Sequence, residues 1–293
     1  MERRFHTLDV FTTTRFEGNP LAVVTDGDGL SQDQMQAVAR EMNLSETVFV
    51  QKPTEDRALA RLRIFTTQEE LKLAGHPVIG TWFLLASLGV VPAQEGGVHI
   101  LQQTGAGVLP VEIQFRDGRP LLVTMTQKEA SFRPAKIRKA ALAAALGVRS
   151  TDFHTDLEPQ FVSTGIFNLM VPFRNRAALC RIQANPSELR RVLGGTATMA
   201  YCFALGGKDA AFARGMLPWA QYEDAATGSA AGALGAYLVQ HGKLEPGRTL
   251  SILQGEEMGR PSHLQVSVST KGKKLVSRVS GAAVQVFEGT IQI

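Results

Sequence analysis

Glu46 follows Ser45 at the point where an amphipathic helical stretch has ended and an apolar strand, Thr47-Val48-Phe49-Val50, begins. A carboxyl held against such a strand is partly shielded from water, which raises its pKa and suits it to carry a proton near neutral pH. The plain alternative is an acid in a solvated turn. Two other places invite chemistry, Gly75-His76-Pro77 and Thr227-Gly228-Ser229, each opening a charge-free helical stretch. Pro77 is expected at the first helical position, where its missing N–H costs nothing, and Thr227 as a capping hydroxyl. Each start offers unpaired backbone N–H groups and the positive end of a helix dipole, a natural seat for a carboxylate. Glycine would let the ligand approach the backbone closely. Ordinary caps would look the same in sequence, and His76 could equally be a core histidine. Asp224 beside Glu223 resembles a carboxylate pair, although adjacent side chains often point apart.

Other catalytic templates do not fit. There is no G-x-S-x-G elbow, no G-x-x-x-x-G-K-[ST] loop and no H-E-x-x-H pair. Gly105-Ala106-Gly107 lacks the third glycine of a dinucleotide fingerprint and leads into a strand. The six histidines are dispersed without ligand spacing, so no metal is expected. Cys180 and Cys202 form no CxxC, which argues against a disulfide framework or structural zinc and fits a reducing cytoplasm. The net charge of +4 is small and the lysines and arginines are scattered. The densest basic cluster, Arg133, Lys136, Arg138 and Lys139, has only Phe132 as an aromatic neighbour. Nucleic acid is therefore not an expected partner, and a small anionic substrate is the most this charge supports. Residues 74 to 93 hold no Asp, Glu, Lys or Arg, but His76, Pro77, Thr81 and Ser87 within them favour a buried helix over a membrane span. The first residues, Met1-Glu2-Arg3-Arg4-Phe5-His6, contain no apolar secretory segment.

These residues must be positioned by a chain of 293 residues, about twice a typical domain, so two domains are expected. Strands are expected at Phe5 to Phe11, Leu21 to Thr25, Thr47 to Val50 and Ala58 to Phe65. Ser31 and Gln34 form a capping box for a helix whose apolar face is Met35, Val38, Ala39 and Met42, and Asn43 can close it. Asp117-Gly118 reads as a hairpin turn. The polar segment 127 to 136, with Pro134, reads as a domain boundary. Helices follow around Ile137 to Leu146 and across 175 to 194, and four strand-like runs fill the C-terminal part from Leu250 to Ile291.

The sequence also repeats. Arg63-Ile64-Phe65-Thr66-Thr67 precedes Glu70, Gly75 and a charge-free helix; Arg214-Gly215-Met216-Leu217-Pro218 precedes Glu223, Gly228 and another. Both glutamates lie five residues before their glycine, and the copies are offset by 228 − 75 = 153 residues. A helix apolar on nearly all faces must be surrounded by protein, and with strands on either side the container is a curved sheet.

In order and spacing, Leu8-Asp9-Val10-Phe11, Gly18-Asn19-Pro20, Asn43-Leu44-Ser45-Glu46-Thr47, Arg61-Leu62-Arg63-Ile64-Phe65-Thr66, Ala74-Gly75-His76-Pro77 and Glu223-Asp224-Ala225-Ala226-Thr227-Gly228-Ser229-Ala230 resemble the PhzF family. The resemblance spans nearly the whole chain. It implies an α+β, diaminopimelate epimerase-like fold: two pseudo-symmetric domains, each a β-barrel-like sheet around a central helix, with the active site between them. The domains are expected at 1–126 with a C-terminal strand at about 282–293, and at 127–281. By resemblance Glu46 is the acid/base, His76 and Asp224 join it in catalysis, and Asn19, Gly75, Gly228 and Ser229 contact the substrate. The family implies a cofactor-independent isomerase of a biosynthetic kind, acting as a homodimer; its name-giving member isomerises trans-2,3-dihydro-3-hydroxyanthranilate. The chain departs from the common pattern at Ala225, where proline is frequent, and at Thr67 and Met216 in the Arg-x-Phe-x-Pro stretches. Epimerases and racemases of this fold use a cysteine pair, one per domain, and neither Cys180 nor Cys202 lies in the Gly75 or Gly228 motif. A ligand-binding protein without turnover, or an epimerase of another amino or hydroxy acid, are the rival readings.

Overall fold

A computed structural model describes residues 1–219 and 223–293 and divides into two compact units, Met1–Met125 with Ser280–Ile293, and Thr126–Val279. In the first unit, β1 (Glu2–Val10) pairs antiparallel with β2 (Asn19–Val24) and, on its other side, with the C-terminal strand Ala283–Gln292. Helix α1 (Gln32–Met42) then carries the chain back so that β3 (Thr47–Gln51) runs parallel to β2. Its start is the expected capping box of Ser31 and Gln34, and its end is Asn43 in the left-handed region at φ 50°. Met35 and Ala39 of its apolar face pack with Val24, Leu30, Phe49 and Phe65.

Next, β4 (Ala60–Phe65) lies antiparallel to β3, and the two-residue β5 (Glu70–Leu71) folds back onto the end of β4. Helix α2 (Gly75–Ser87) is buried from His76 to Ala86 except at Phe83, and it packs against β1, β2, β3 and the C-terminal strand. Its side chains have no solvent-facing stripe, so burial stabilises it all round, at about 1.5–3 kcal/mol for each large apolar group. Deep inside, the indole N–H of Trp82 donates to Gln102 Oε1 at 2.7 Å. Strands β6 (Val98–Thr104), β7 (Gly107–Arg116) and β8 (Arg119–Glu129) complete this part, with β6 parallel to β4. Asp117 and Gly118, both at positive φ, close the β7–β8 hairpin with Arg116 opposite Arg119, as expected.

The second unit repeats the same order. The polar segment 127–136, read from sequence as a domain boundary, is mostly strand: β8 runs to Glu129, and β9 (Ser131–Pro134) pairs with β10 (Gln160–Ser163). Its alternation is hard to see because most of its side chains are polar and exposed. After α3 (Lys139–Leu146), β10 forms a hairpin with β11 (Phe167–Phe173). Helices α4 (Arg176–Leu179) and α5 (Pro186–Leu193) return the chain to β12 (Ala200–Leu205), which is parallel to β11. Strand β13 (Ala210–Met216) is antiparallel to β12, and β14 (Glu223–Asp224) folds back onto it. Helix α6 (Gly228–Gln240) then packs against β10, β11 and the later strand β16. Strand β15 (Thr249–Gln254) runs parallel to β13 and pairs with β16 (Ser262–Lys271), and β17 (Lys274–Gly281) follows.

The repeat seen in sequence is therefore a repeat of topology. Helices α2 and α6 are each 13 residues long and each begins at the glycine of its copy. One local expectation is corrected: α2 starts at Gly75, so Pro77 is its third residue. This is still harmless, because none of the first four N–H groups has an intrahelical partner. Among the described residues no helix is long and apolar enough to cross a membrane.

Candidate active site

In the first unit, the site is built on a turn and two element starts. Gly18 has φ 66°, and a Cβ there would lie 2.4 Å from the carbonyl oxygen of Val10. Only glycine permits that contact, and it turns the chain so that buried Asn19 pairs opposite Val10 and Pro20 follows. Glu46 ends the loop that leads from α1 to β3, and its backbone carbonyl accepts from Ala22 N–H. His76 is the second residue of α2.

These groups converge. Nε2 of His76 lies 3.3 Å from Glu46 Oε2, with only 8% of the histidine side chain and 16% of the glutamate side chain exposed. Burial pushes the imidazole down to about 3, against a smaller upward pull from a hydrogen bond to the Pro20 backbone. Proline has no amide proton, so its carbonyl must accept from a ring N–H. Nε2 makes no hydrogen bond among the described residues, which leaves Nδ1–H as that donor. The ring is thus neutral and points a lone pair at Glu46. Proximity alone would have suggested an ion pair; burial decides otherwise, because a buried imidazolium loses its hydration.

In the second unit, Asp224, Thr227, Gly228 and Ser229 gather at the start of α6. Thr227 occupies the N-cap position, but its hydroxyl does not cap the helix. It donates instead to Asp224 Oδ2 at 2.6 Å. That corrects the expected cap: the hydroxyl gives its proton to Asp224, and its oxygen accepts from Gln254 Nε2 at 3.2 Å instead of from a helix amide. Glu223, the neighbour of Asp224, points away and forms two bonds with Arg214, at 2.9 and 2.6 Å. The adjacent carboxyls are therefore not a pair.

Sequence reasoning missed the residues that support this turn. Gln254 is fully buried at the end of β15 and bonds both Asp224 and Thr227. Gln127 Nε2 donates to the carbonyl of Gly228 at 2.9 Å, and Thr164 donates to that of Ser229 at 3.2 Å. A Cβ on Gly232 would overlap the Gln127 amide, at 1.8 Å from its oxygen, so this helical glycine makes room for a side chain that fixes the helix start. No local pattern announces Gln254 or Gln127; each acts across more than 25 residues of sequence.

Neither α2 nor α6 has a side-chain cap, whereas α1, α4 and α5 are capped by Ser31, Asn175 and Asn185. The N-cap side chains of the two central helices therefore leave the first-turn amides to other acceptors, of which a ligand carboxylate is one kind. Of the departures noted above, Met216 is buried in the core of the second unit and Ala225 is buried beside Gly255, so both are framework positions. Both cysteines lie in the second unit, Cys202 wholly buried with its thiol pushed above its usual range by burial, and Cys180 exposed. Neither adjoins a central-helix start in the sequence.

Residues 8–289 match the PhzC-PhzF family, described as phenazine biosynthesis-like protein. The trans-2,3-dihydro-3-hydroxyanthranilate isomerase of Pseudomonas aeruginosa is 34% identical over 288 residues, which is 98% of each chain. Among solved structures, a Bacillus anthracis phenazine biosynthesis protein of the PhzF family is 27% identical and covers 100% of both chains at a TM-score of 0.91. A hydroxyproline epimerase from Agrobacterium vitis, 14% identical, covers 99% of this chain and 92% of its own at a TM-score of 0.66, a likeness of fold alone. The α+β epimerase-like fold expected from the motifs is the fold of this chain.

Proposed function

The chain belongs to the PhzC-PhzF family and is an isomerase of that family; from that premise we propose that it moves a proton between carbons of a small carboxylate substrate, with Glu46 as the carrier and no cofactor. The observation that carries this reading is the neutral His76 aimed at Glu46 beside the uncapped start of α2. As a carboxylate, Glu46 breaks a C–H bond and takes the proton, while the electron pair delocalises through the substrate's conjugated system. The acid form of Glu46 can then donate to Nε2 of His76, which holds the proton in place until it returns to a different carbon. No net oxidation occurs and no atom is lost. The substrate carboxylate is proposed to use the helix-start amides at Gly75 or Gly228, with Asn19, Asp224 and Ser229 serving the same reaction. The relatives' named substrate, trans-2,3-dihydro-3-hydroxyanthranilate, has the required carboxylate and conjugation. We propose a homodimer working in the cytoplasm, on the strength of the family resemblance.

Glu46→Gln keeps the shape and removes the proton carrier. With trans-2,3-dihydro-3-hydroxyanthranilate as substrate in heavy water, the wild type is expected to incorporate deuterium at carbon, and the variant to turn over about 10²- to 10⁴-fold more slowly. Turnover of the variant at the wild-type rate would sink the assignment. Deuterium uptake without isomerisation, with loss of optical rotation, would favour epimerisation instead.

A further inference from the structure

Asp224 lies at the end of a chain of hydrogen bonds whose direction is fixed by groups that can act in only one way. The backbone N–H of Thr227 can only donate, and it lies 3.2 Å from Gln254 Oε1. The backbone carbonyl of Asp224 can only accept, and it lies 2.8 Å from Gln254 Nε2. These two contacts settle which end of the Gln254 amide is oxygen and which is nitrogen. The second Nε2 proton then goes to Thr227 Oγ1 at 3.2 Å, and the second Oε1 lone pair accepts from Tyr201 O–H at 2.8 Å. All four bonding positions of the amide are used, in a residue with no solvent exposure.

A threonine hydroxyl has one proton. Because Thr227 Oγ1 accepts from Gln254, that proton is directed to Asp224 Oδ2, at the short distance of 2.6 Å. Tyr201 is wholly buried, and burial together with the nearby Asp224 charge raises its phenol, so it remains a donor at the head of the chain. Gln254 is itself rigid: its backbone pairs with Ala213 on one side and Ser262 on the other. The space is tightly fitted, since a Cβ on Gly215 would come within 3.1 Å of both Gln254 Nε2 and Thr227 Oγ1.

We propose that Gln254, acting through Thr227, is a positioning residue for the isomerase reaction: it commits the Thr227 proton to Asp224 and so holds that residue as an oriented carboxylate. This rests on the reading that Asp224 serves the reaction. A hydrogen bond donated to the ionised form favours that form, and bonds aligned head to tail polarise one another. A merely structural glutamine would fix the loop without affecting the protonation of Asp224.

The test is a carbon-detected NMR titration of the Asp224 carboxyl in the whole protein, with no substrate present, in wild type, Thr227→Val, Thr227→Ser and Gln254→Glu. Thr227→Val removes the donor at nearly constant volume, and its Asp224 midpoint is expected to rise by about one pH unit. Thr227→Ser keeps the hydroxyl and should restore the wild-type midpoint. Gln254→Glu removes both donors and offers a competing acceptor to Thr227, so it too should raise the midpoint. If that buried change prevents folding, the valine and serine pair decides alone. An unchanged midpoint in folded Thr227→Val overturns the proposal. The pH profile of kcat/KM with trans-2,3-dihydro-3-hydroxyanthranilate separates this from the parent reading: wild-type activity in Asp224→Asn would discard a role for Asp224 in the reaction, whatever the titration shows. Loss of activity in Asp224→Asn, with the acid limb unmoved in Thr227→Val, would discard the positioning role alone.

Discussion

The starts of α2 and α6 are two copies of one piece of scaffold put to different use. In each, an arginine on a long strand grips a glutamate on a two-residue strand through two bonds, Arg63 with Glu70 at 2.8 and 2.7 Å and Arg214 with Glu223 at 2.9 and 2.6 Å. In each, five residues after the glutamate, a glycine opens a 13-residue buried helix. The positions that differ are the ones proposed to carry the chemistry. The residue before the strand that runs parallel into each copy is Glu46 in the first and Met199 in the second. The residue after the glutamate is Leu71 in the first and Asp224 in the second, and the residue after the glycine is His76 in one and Ser229 in the other. The frame is thus kept by a bidentate ion pair and an all-round apolar helix, while the polar residues around each helix start differ between the copies.

The two arginine–glutamate pairs differ most in burial, and that difference can be broken experimentally. Arg214 and Glu223 expose only 8% and 4% of their side chains, against 15% and 28% for Arg63 and Glu70. Replacing Glu223 by Gln leaves a buried guanidinium without its main counter-ion and is expected to cost about 3–5 kcal/mol in urea unfolding. Glu257, 3.9 Å from Arg214, and the carbonyls of Leu179, Cys180 and Ile182 offset part of this loss. Glu70→Gln, at the more hydrated pair, should cost about 1 kcal/mol or less. Equal losses would show that burial does not separate the two copies.

A pH-dependent effect distinguishes His76 from Ser229. The native imidazole is held down to about 3 from an ordinary 6.5, so the unfolded chain takes up a proton that the folded chain refuses. The sign follows: this contribution is complete above pH 6.5, is lost at about 1.4 kcal/mol per pH unit as pH falls toward 3, and is flat below that. Denaturation midpoints across this window should fall less steeply in His76→Asn than in the wild type. Ser229→Ala should leave the slope unchanged, and parallel slopes in His76→Asn and the wild type would remove the case for a neutral, buried His76.

The smallest expected change contrasts capped with uncapped helices. Ser31→Ala should cost about 1 kcal/mol, since it removes one half of a working capping box. Ala74→Ser places a capping side chain on an extended N-cap residue, φ −144° and ψ 147°, that now has none. It is expected to raise stability by about 0.5 kcal/mol or more, while increasing KM if the first-turn amides of α2 receive the substrate. Greater stability with an unchanged KM would remove that helix start from the substrate's seat.

Much of the frame was legible because its signals are local or periodic. The capping box, the Asn43 closure and the Asp117-Gly118 hairpin depend on neighbours a few residues away, and each formed where its residues stand. The short strands β5 and β14 were not legible, since two residues are too few to show alternation. The strands within segment 127–136 are not legible for a related reason: an exposed, polar strand face resembles a loop in composition.

Sequence by itself determined the doubled frame: the 153-residue offset, the arginine and glutamate of each copy, the two charge-free helices and the family motifs. Tertiary structure alone decided what the polar groups do. It made His76 neutral by burying it, and it turned the Thr227 hydroxyl from an expected helix cap into a donor to Asp224. It also brought in Gln254, 27 residues beyond Thr227, to set the direction of that bond. Protonation and hydrogen-bond direction depend on which groups share a dehydrated space, and no local pattern in a chain records that.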